Sequence, residues 1–143
     1  MALRETGLSA SEASSVLGRQ YRTVITTDGI HITSLGKSAY LEARLLDEGV
    51  LFVDATNVSP ALRGQGISHE LFSQTLESVG ASQVRSIQSW LTGTNAEIAK
   101  SGIARGLSPV EAAALTPRGR TALKFGFNKI DYDPFTGVFS ASR

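Results

Sequence analysis

The apolar and polar positions of this chain change period several times. Across residues 21–58 they follow a strand-like pattern broken by turn residues. Tyr21–Thr26 and Ile30–Leu35 flank Asp28-Gly29, a two-residue hairpin turn. Ala39–Leu46 and Val50–Val58 flank Asp47-Glu48-Gly49, a second tight reversal. A helical period follows, from about Gly66 to Val79. Ile67, Leu71, Phe72, Thr75, Leu76 and Val79 make one apolar face, opposite Glu70, Gln74, Glu77 and Ser78, and Gly80 ends the segment. Strand character returns over Gln83–Leu91. It returns again over Phe127–Tyr132 and Val138–Ser140, which close as a hairpin around residues 133–137.

Four segments carry helix-start signals. Ser9-Ala-Ser-Glu12 has capping-box spacing, with Gly18 placed to end a short helix. Thr94-Asn-Ala-Glu97 repeats that spacing. Ser108-Pro-Val-Glu111 and Thr116-Pro117 put proline at the first helical position, where its missing N–H costs nothing. The expected order is helix, four strands, helix, strand, helices, two strands. That order predicts an α/β (α+β) fold, a mixed and mostly antiparallel sheet flanked by helices. One domain over residues 1–143 is expected, comprising a helical N-terminus (1–20) and antiparallel strands (21–58). A loop, helix and strand (59–91), a helical region (92–126) and closing strands (127–143) complete it.

Composition narrows the chemistry. The chain has 143 residues, 41% hydrophobic and 19% charged, enough to bury one core. It has no Cys, which excludes disulfides, thiol nucleophiles and Cys-ligated metals, and its two His make a multi-His metal site unexpected. No run approaches the ~20 apolar residues of a membrane span, and the start is unlike a secretory signal, so a cytoplasmic protein is expected. The net charge of +1 is uneven. Residues 1–80 hold 6 basic and 9 acidic side chains, and residues 81–143 hold 8 and 4. The second half suits an anionic ligand or forms a solvated basic face.

The segment from Val58 to Phe72 is the most informative. It joins a strand to the start of an amphipathic helix, with Arg63-Gly64-Gln65-Gly66 at the junction. Glycine lets the backbone turn sharply and lets a ligand approach closely. Helix-start amides and the helix dipole favour an anion, and Arg63 adds a positive charge. The segment lacks the Gly-Lys-Ser/Thr ending of a Walker A loop and the third glycine of a dinucleotide fingerprint. An ordinary tight turn is the alternative.

In this setting Val58-x-Pro60-x-x-Arg63-Gly64-x-Gly66-Ile67 resembles the acyl-CoA-binding motif of the GNAT superfamily of N-acetyltransferases. Ala122-Leu-Lys-Phe-Gly126-Phe127 resembles that family's helix-ending segment, and the likeness covers about residues 38–142. The resemblance implies an acyl-CoA N-acyltransferase-like fold with acetyl-CoA (CoA) as cofactor. Val58 would offer backbone groups to the pantetheine arm. Arg63, Gly64, Gln65, Gly66, Ile67 and Ser68 would hold the pyrophosphate. It further implies that an amine attacks the thioester directly, with a general base and an acid moving protons.

The chain departs from the family pattern in three places. The family's acid tyrosine corresponds to Ala122, which leaves Tyr132, Tyr40 or solvent to supply the proton. Asn95 fits the family's cofactor-contacting asparagine by residue type, Thr116 fits it by spacing, and either serves equally as a helix cap. Residues 1–20 have room for one short helix. The acceptor side is then reduced, rearranged or completed by another chain. Asp54, in an apolar strand, is the candidate base or an outward-facing carboxylate. Trp90 is expected in the core. The expected partner is an amine-bearing acceptor, a small molecule or a protein. Nucleic acid lacks a supporting motif, no membrane is implied, and a monomer or homodimer fits. The other readings are a non-catalytic acyl-CoA-binding relative and an effector- or toxin-like module acetylating a protein or tRNA.

Overall fold

The computed structural model describes residues 8–16 and 19–143. The chain divides into two compact units, Met1–Val84 and Arg85–Arg143.

In the first unit five strands follow one another in an antiparallel meander: β1 (Leu8–Val16), β2 (Arg19–Thr26), β3 (Ile30–Leu35), β4 (Ala39–Leu46) and β5 (Val50–Val58). Helix α1 (Ile67–Val79) packs on β2, β3, β4 and β5. Its buried residues are Ile67, Leu71, Phe72, Thr75 and Leu76, the stripe that the helical period places on one side. Facing them along β4 are Ala39, Leu41 and Ala43, at the two-residue strand period. A chain of hydroxyls runs through this core. Thr23 and Thr33 lie 3.0 Å apart, Thr33 and Thr75 2.8 Å, and Thr75 donates to the Leu71 carbonyl at 2.8 Å.

β1 corrects one expectation. The capping-box spacing at Ser9–Glu12 predicts a helix, yet Leu8–Val16 is a strand, with Glu12 paired to Thr23. Cross-strand pairing with β2 runs from Ala10 to Val16, past an irregularity between Leu8 and Ala10, whereas a short helix is marginal on its own. Gly18, the expected helix stop, lies outside the described residues.

In the second unit β6 (Ser86–Trp90), β7 (Lys129–Asp133) and β8 (Val138–Ser142) run antiparallel, with β8 in the middle. Helices α2 (Gly93–Ala104), α3 (Pro109–Ala114) and α4 (Pro117–Lys124) accompany them, α3 packing on α2, α4 and β7. Small residues permit these approaches. A Cβ on Gly119 would strike the Ala113 carbonyl oxygen and lie 2.9 Å from Ala114 Cα. The capping box at Ser108 forms as expected. Its hydroxyl accepts from the Glu111 N–H at 3.2 Å, and the Glu111 carboxylate accepts from the Ser108 N–H at 3.0 Å. The Ser108 backbone N–H, and after it the Ser108 side chain, hold the Glu111 carboxyl below the usual range. The box at Thr94 does not form, because α2 starts two residues earlier, at Gly93 after Thr92. Trp90, expected in the core, is 55% exposed.

The two units together are α+β, as the order of periods predicts. No helix among the described residues is long and apolar enough to cross a membrane.

Candidate functional site

β5 leads into the site through an irregularity that local sequence does not announce. Glu42 pairs with Ala55 and Ala43 with Val53, so Asp54 is an extra residue in β5. Such a bulge bends a strand and re-aims its neighbours. Asp54 faces outward and is held in place. Arg44 donates to it twice, from Nε at 2.9 Å and Nη2 at 2.8 Å. The two hydrogen bonds and the charge of Asp54 raise the pKa of the Arg44 guanidinium. The guanidinium also lies 5.5 Å from the centre of the Phe52 ring.

Beyond Val58 the chain turns at once. The Ser59 N–H donates to the Ser38 carbonyl at 2.8 Å, and a 3-10 turn spans Pro60–Leu62. Arg63, Gly64, Gln65 and Gly66 are all exposed. Gly64 and Gly66 have φ of +80° and +75°, in the left-handed region that favours glycine. A Cβ on Gly64 would meet nothing within 4 Å. Open space and a reversed backbone together leave room for a ligand to lie against the loop.

Gly66 is the residue before the first turn of α1, and no side-chain hydrogen bond caps that end. The first intrahelical bond runs from the Glu70 N–H to the Gly66 carbonyl, at 3.1 Å. The preceding amides belong to the open end of the helix, where the dipole is positive. Ile67 fixes this end by burying its side chain in the core, leaving only its backbone to a ligand. Ser68 is half-buried beside it. Arg63 stays exposed, its Nε 3.4 Å from the Val58 carbonyl oxygen. The charge, the open helix end and the reversed loop suit a phosphate or diphosphate.

A second group of side chains gathers on the same loop, and local sequence reading misses it. Arg19, at the start of β2, donates Nη1 to Glu70 at 3.0 Å and Nη2 to the Gln65 side-chain oxygen at 3.0 Å. The Tyr21 hydroxyl donates to Glu70 at 2.5 Å. Burial, then the hydrogen bond to Glu70, pushes the Tyr21 phenol well above its ordinary value. Only the hairpin register and the pitch of α1 bring these positions together.

Of the remaining expected site residues, Tyr40 lies exposed in β4 and the others lie in the second unit. The Asn95 side-chain oxygen accepts from the Arg118 N–H at 2.9 Å. The Thr116 hydroxyl accepts from the Gly119 N–H at 2.9 Å and donates to the Ala113 carbonyl at 2.6 Å. Asn95 and Thr116 thus both serve the start of α4. Burial lowers the pKa of the Arg118 guanidinium to about 10. Tyr132 lies in β7 with its side chain buried, opposite Phe139. Ala122 is fully buried in α4. Ser89 Oγ is buried with no hydrogen-bond partner among the described residues.

No protein-family model and no curated protein matches this sequence. Among solved structures, the chain is similar to a Desulfovibrio desulfuricans protein assigned to the GNAT family of acetyltransferases. That pair shares 15% identity with a TM-score of 0.47, over 79% of this chain and 66% of the other. An acetyltransferase from Thermus thermophilus gives 14% identity and a TM-score of 0.44, over 80% and 62%. The chain thus spans slightly less than two thirds of either protein. A Bacillus subtilis acetyltransferase solved with CoA gives 12% identity and a TM-score of 0.45, over 93% and 97%.

Proposed function

We propose that this chain is a divergent GNAT-type acyltransferase that binds acetyl-CoA at the loop between β5 and α1. The observation that carries the reading is the Arg63–Gly66 loop. It is exposed, its two glycines are in the left-handed region, and it opens onto a helix end without a side-chain cap. The motif resemblance of the same residues names the anion as the pyrophosphate of CoA. Backbone amides at Gly64, Gln65, Gly66, Ile67 and Ser68 would receive it, with Arg63 alongside. Val58 would meet the pantetheine arm through its backbone.

The bound thioester supplies an activated acyl carbon. An acceptor amine forms the new C–N bond there as the C–S bond breaks, giving an amide and the CoA thiol. The protein's main contribution is alignment of the two reactants. Asp54 is the base that the sequence suggests. With both its oxygens accepting from Arg44, its geometry favours anchoring the β5 bulge above the motif. Tyr132 is our candidate donor to the departing thiolate. Tyr21 is less suited because its proton is engaged by Glu70. Asn95 is assigned to α4 rather than to the cofactor.

Titration calorimetry with acetyl-CoA and CoA tests the reading. Binding is expected, and Arg63→Glu should weaken it at least about tenfold by reversing a charge beside the diphosphate. Failure of both ligands to bind at millimolar concentration overturns it. One observation favours a second reading, a non-catalytic acyl-CoA-binding protein: the position of the family's acid is the buried Ala122. Release of CoA thiol across a panel of amines separates the two.

A further inference from the structure

The Arg63–Gly66 loop has one feature that opposes an anion. Glu70 stands in the first turn of α1, and its carboxylate oxygen lies 3.9 Å from where a Cβ of Gly66 would be. An uncompensated carboxylate there would repel a diphosphate on the adjacent amides. It is not uncompensated. Arg19 reaches across from β2, ion-pairs with Glu70 at 3.0 Å and bonds the Gln65 side chain at 3.0 Å. Tyr21 donates to the same carboxylate at 2.5 Å. The Arg19–Glu70 pair is largely sheltered, with side chains 24% and 14% exposed, so solvent screens it less than a surface pair.

We propose that Arg19 is a positioning residue for the acyl-CoA site: it neutralises Glu70 and fixes Gln65, making the loop receptive to a diphosphate. The inference rests on the CoA-binding reading and deepens it. Arg19 acts through the loop and Glu70, so its effect on ligand binding depends on the Glu70 charge. A purely structural ion pair would show that coupling in thermal unfolding and not in CoA affinity.

A double-mutant cycle on the full chain, read by calorimetry with CoA and by thermal unfolding, tests this. Arg19→Ala should weaken CoA binding about tenfold or more. Glu70→Gln should bind at least as tightly as wild type. Adding Arg19→Ala to Glu70→Gln should cost less than about threefold, because the charge to be neutralised is gone. Arg19→Lys, which keeps the charge and loses the fork that spans Glu70 and Gln65, should fall between. If Arg19→Ala fails to fold, Arg19→Lys and the double variant compared with Glu70→Gln carry the same test. Unchanged affinity in the Arg19 variants, or equal losses with and without the Glu70 carboxylate, overturns the inference. A wild-type chain that does not bind CoA overturns the proposed function itself, a distinguishable result.

Discussion

The Asp54 carboxylate receives two hydrogen bonds from the Arg44 guanidinium, at 2.9 and 2.8 Å, where β5 carries one residue more than β4 opposes. The pair therefore ties the bulged residue to its neighbouring strand. A fork on a carboxylate fixes orientation as well as distance. Both side chains are partly solvent-exposed, 43% for Arg44 and 29% for Asp54, so solvent screens the pair and it orients the strand more than it stabilises the fold.

That geometry separates an anchor from a base. On the proposed acyltransferase function, if Asp54 and Arg44 act together on strand shape, Asp54→Asn and Arg44→Gln should impair acetyl transfer to a similar extent, mainly through KM for acetyl-CoA. A base would instead lose kcat in Asp54→Asn alone, by a factor on the order of 10²–10⁴. We expect the matched pattern, measured by steady-state kinetics on both variants.

Much of the fold is legible in the chain because its signals are local. Asp28-Gly29 and the alternating positions around it announce β2 and β3. The stripe from Ile67 to Leu76 announces α1, and Ser108 and Thr116 mark true helix starts. Where local and distant signals conflict, the distant one prevails. Ser9–Glu12 reads as a helix start, yet this stretch lies in a strand whose residues from Ala10 on are paired to β2. The bulge at Asp54 is a matter of register between two strands, so neither strand shows it alone. Arg19 and Glu70 are 51 residues apart, and only the folded unit brings them to the loop. The loop itself is readable because its glycines and its helix start are contiguous.

The hydroxyl chain under α1 should be costly to interrupt. Thr33 is fully buried and lies 3.0 Å from the Thr23 hydroxyl and 2.8 Å from that of Thr75. Thr33→Val keeps the shape and removes the middle hydroxyl, leaving Thr23 with an unmet buried polar group. The expected loss is about 1–3 kcal/mol, read by urea unfolding. Thr75→Val should cost less, since Thr33 retains Thr23 and the Leu71 carbonyl retains its helical role.

Gly119 in α4 should accept no side chain. Its added Cβ would clash with Ala113 backbone and come within 2.9 Å of Ala114 Cα. Backbone has little room to yield, so α3 and α4 would have to separate. Gly119→Ala gains helix propensity worth ~1 kcal/mol elsewhere in helices, but overpacking of ~1–3 kcal/mol or more opposes it. A net fall in thermal stability is expected. A variant as stable as wild type would mean that these helices do not pack this closely.

His31 should make stability fall in mild acid. It sits in β3 with Nδ1 3.2 Å from the Ser78 hydroxyl, and burial lowers its pKa below the ordinary 6.5. The folded chain then resists protonating a group that the unfolded chain protonates readily. Above pH ~6.5 both states hold neutral imidazole and His31 contributes no pH dependence. As pH drops below that value the unfolded state takes up the proton first, so stability is lost until the folded pKa is passed. His31→Gln, which keeps a polar partner for Ser78 and cannot titrate, should flatten the stability curve between about pH 7 and 5. Melting temperatures of the two proteins across that range check it, and parallel curves would assign the acid sensitivity to other groups.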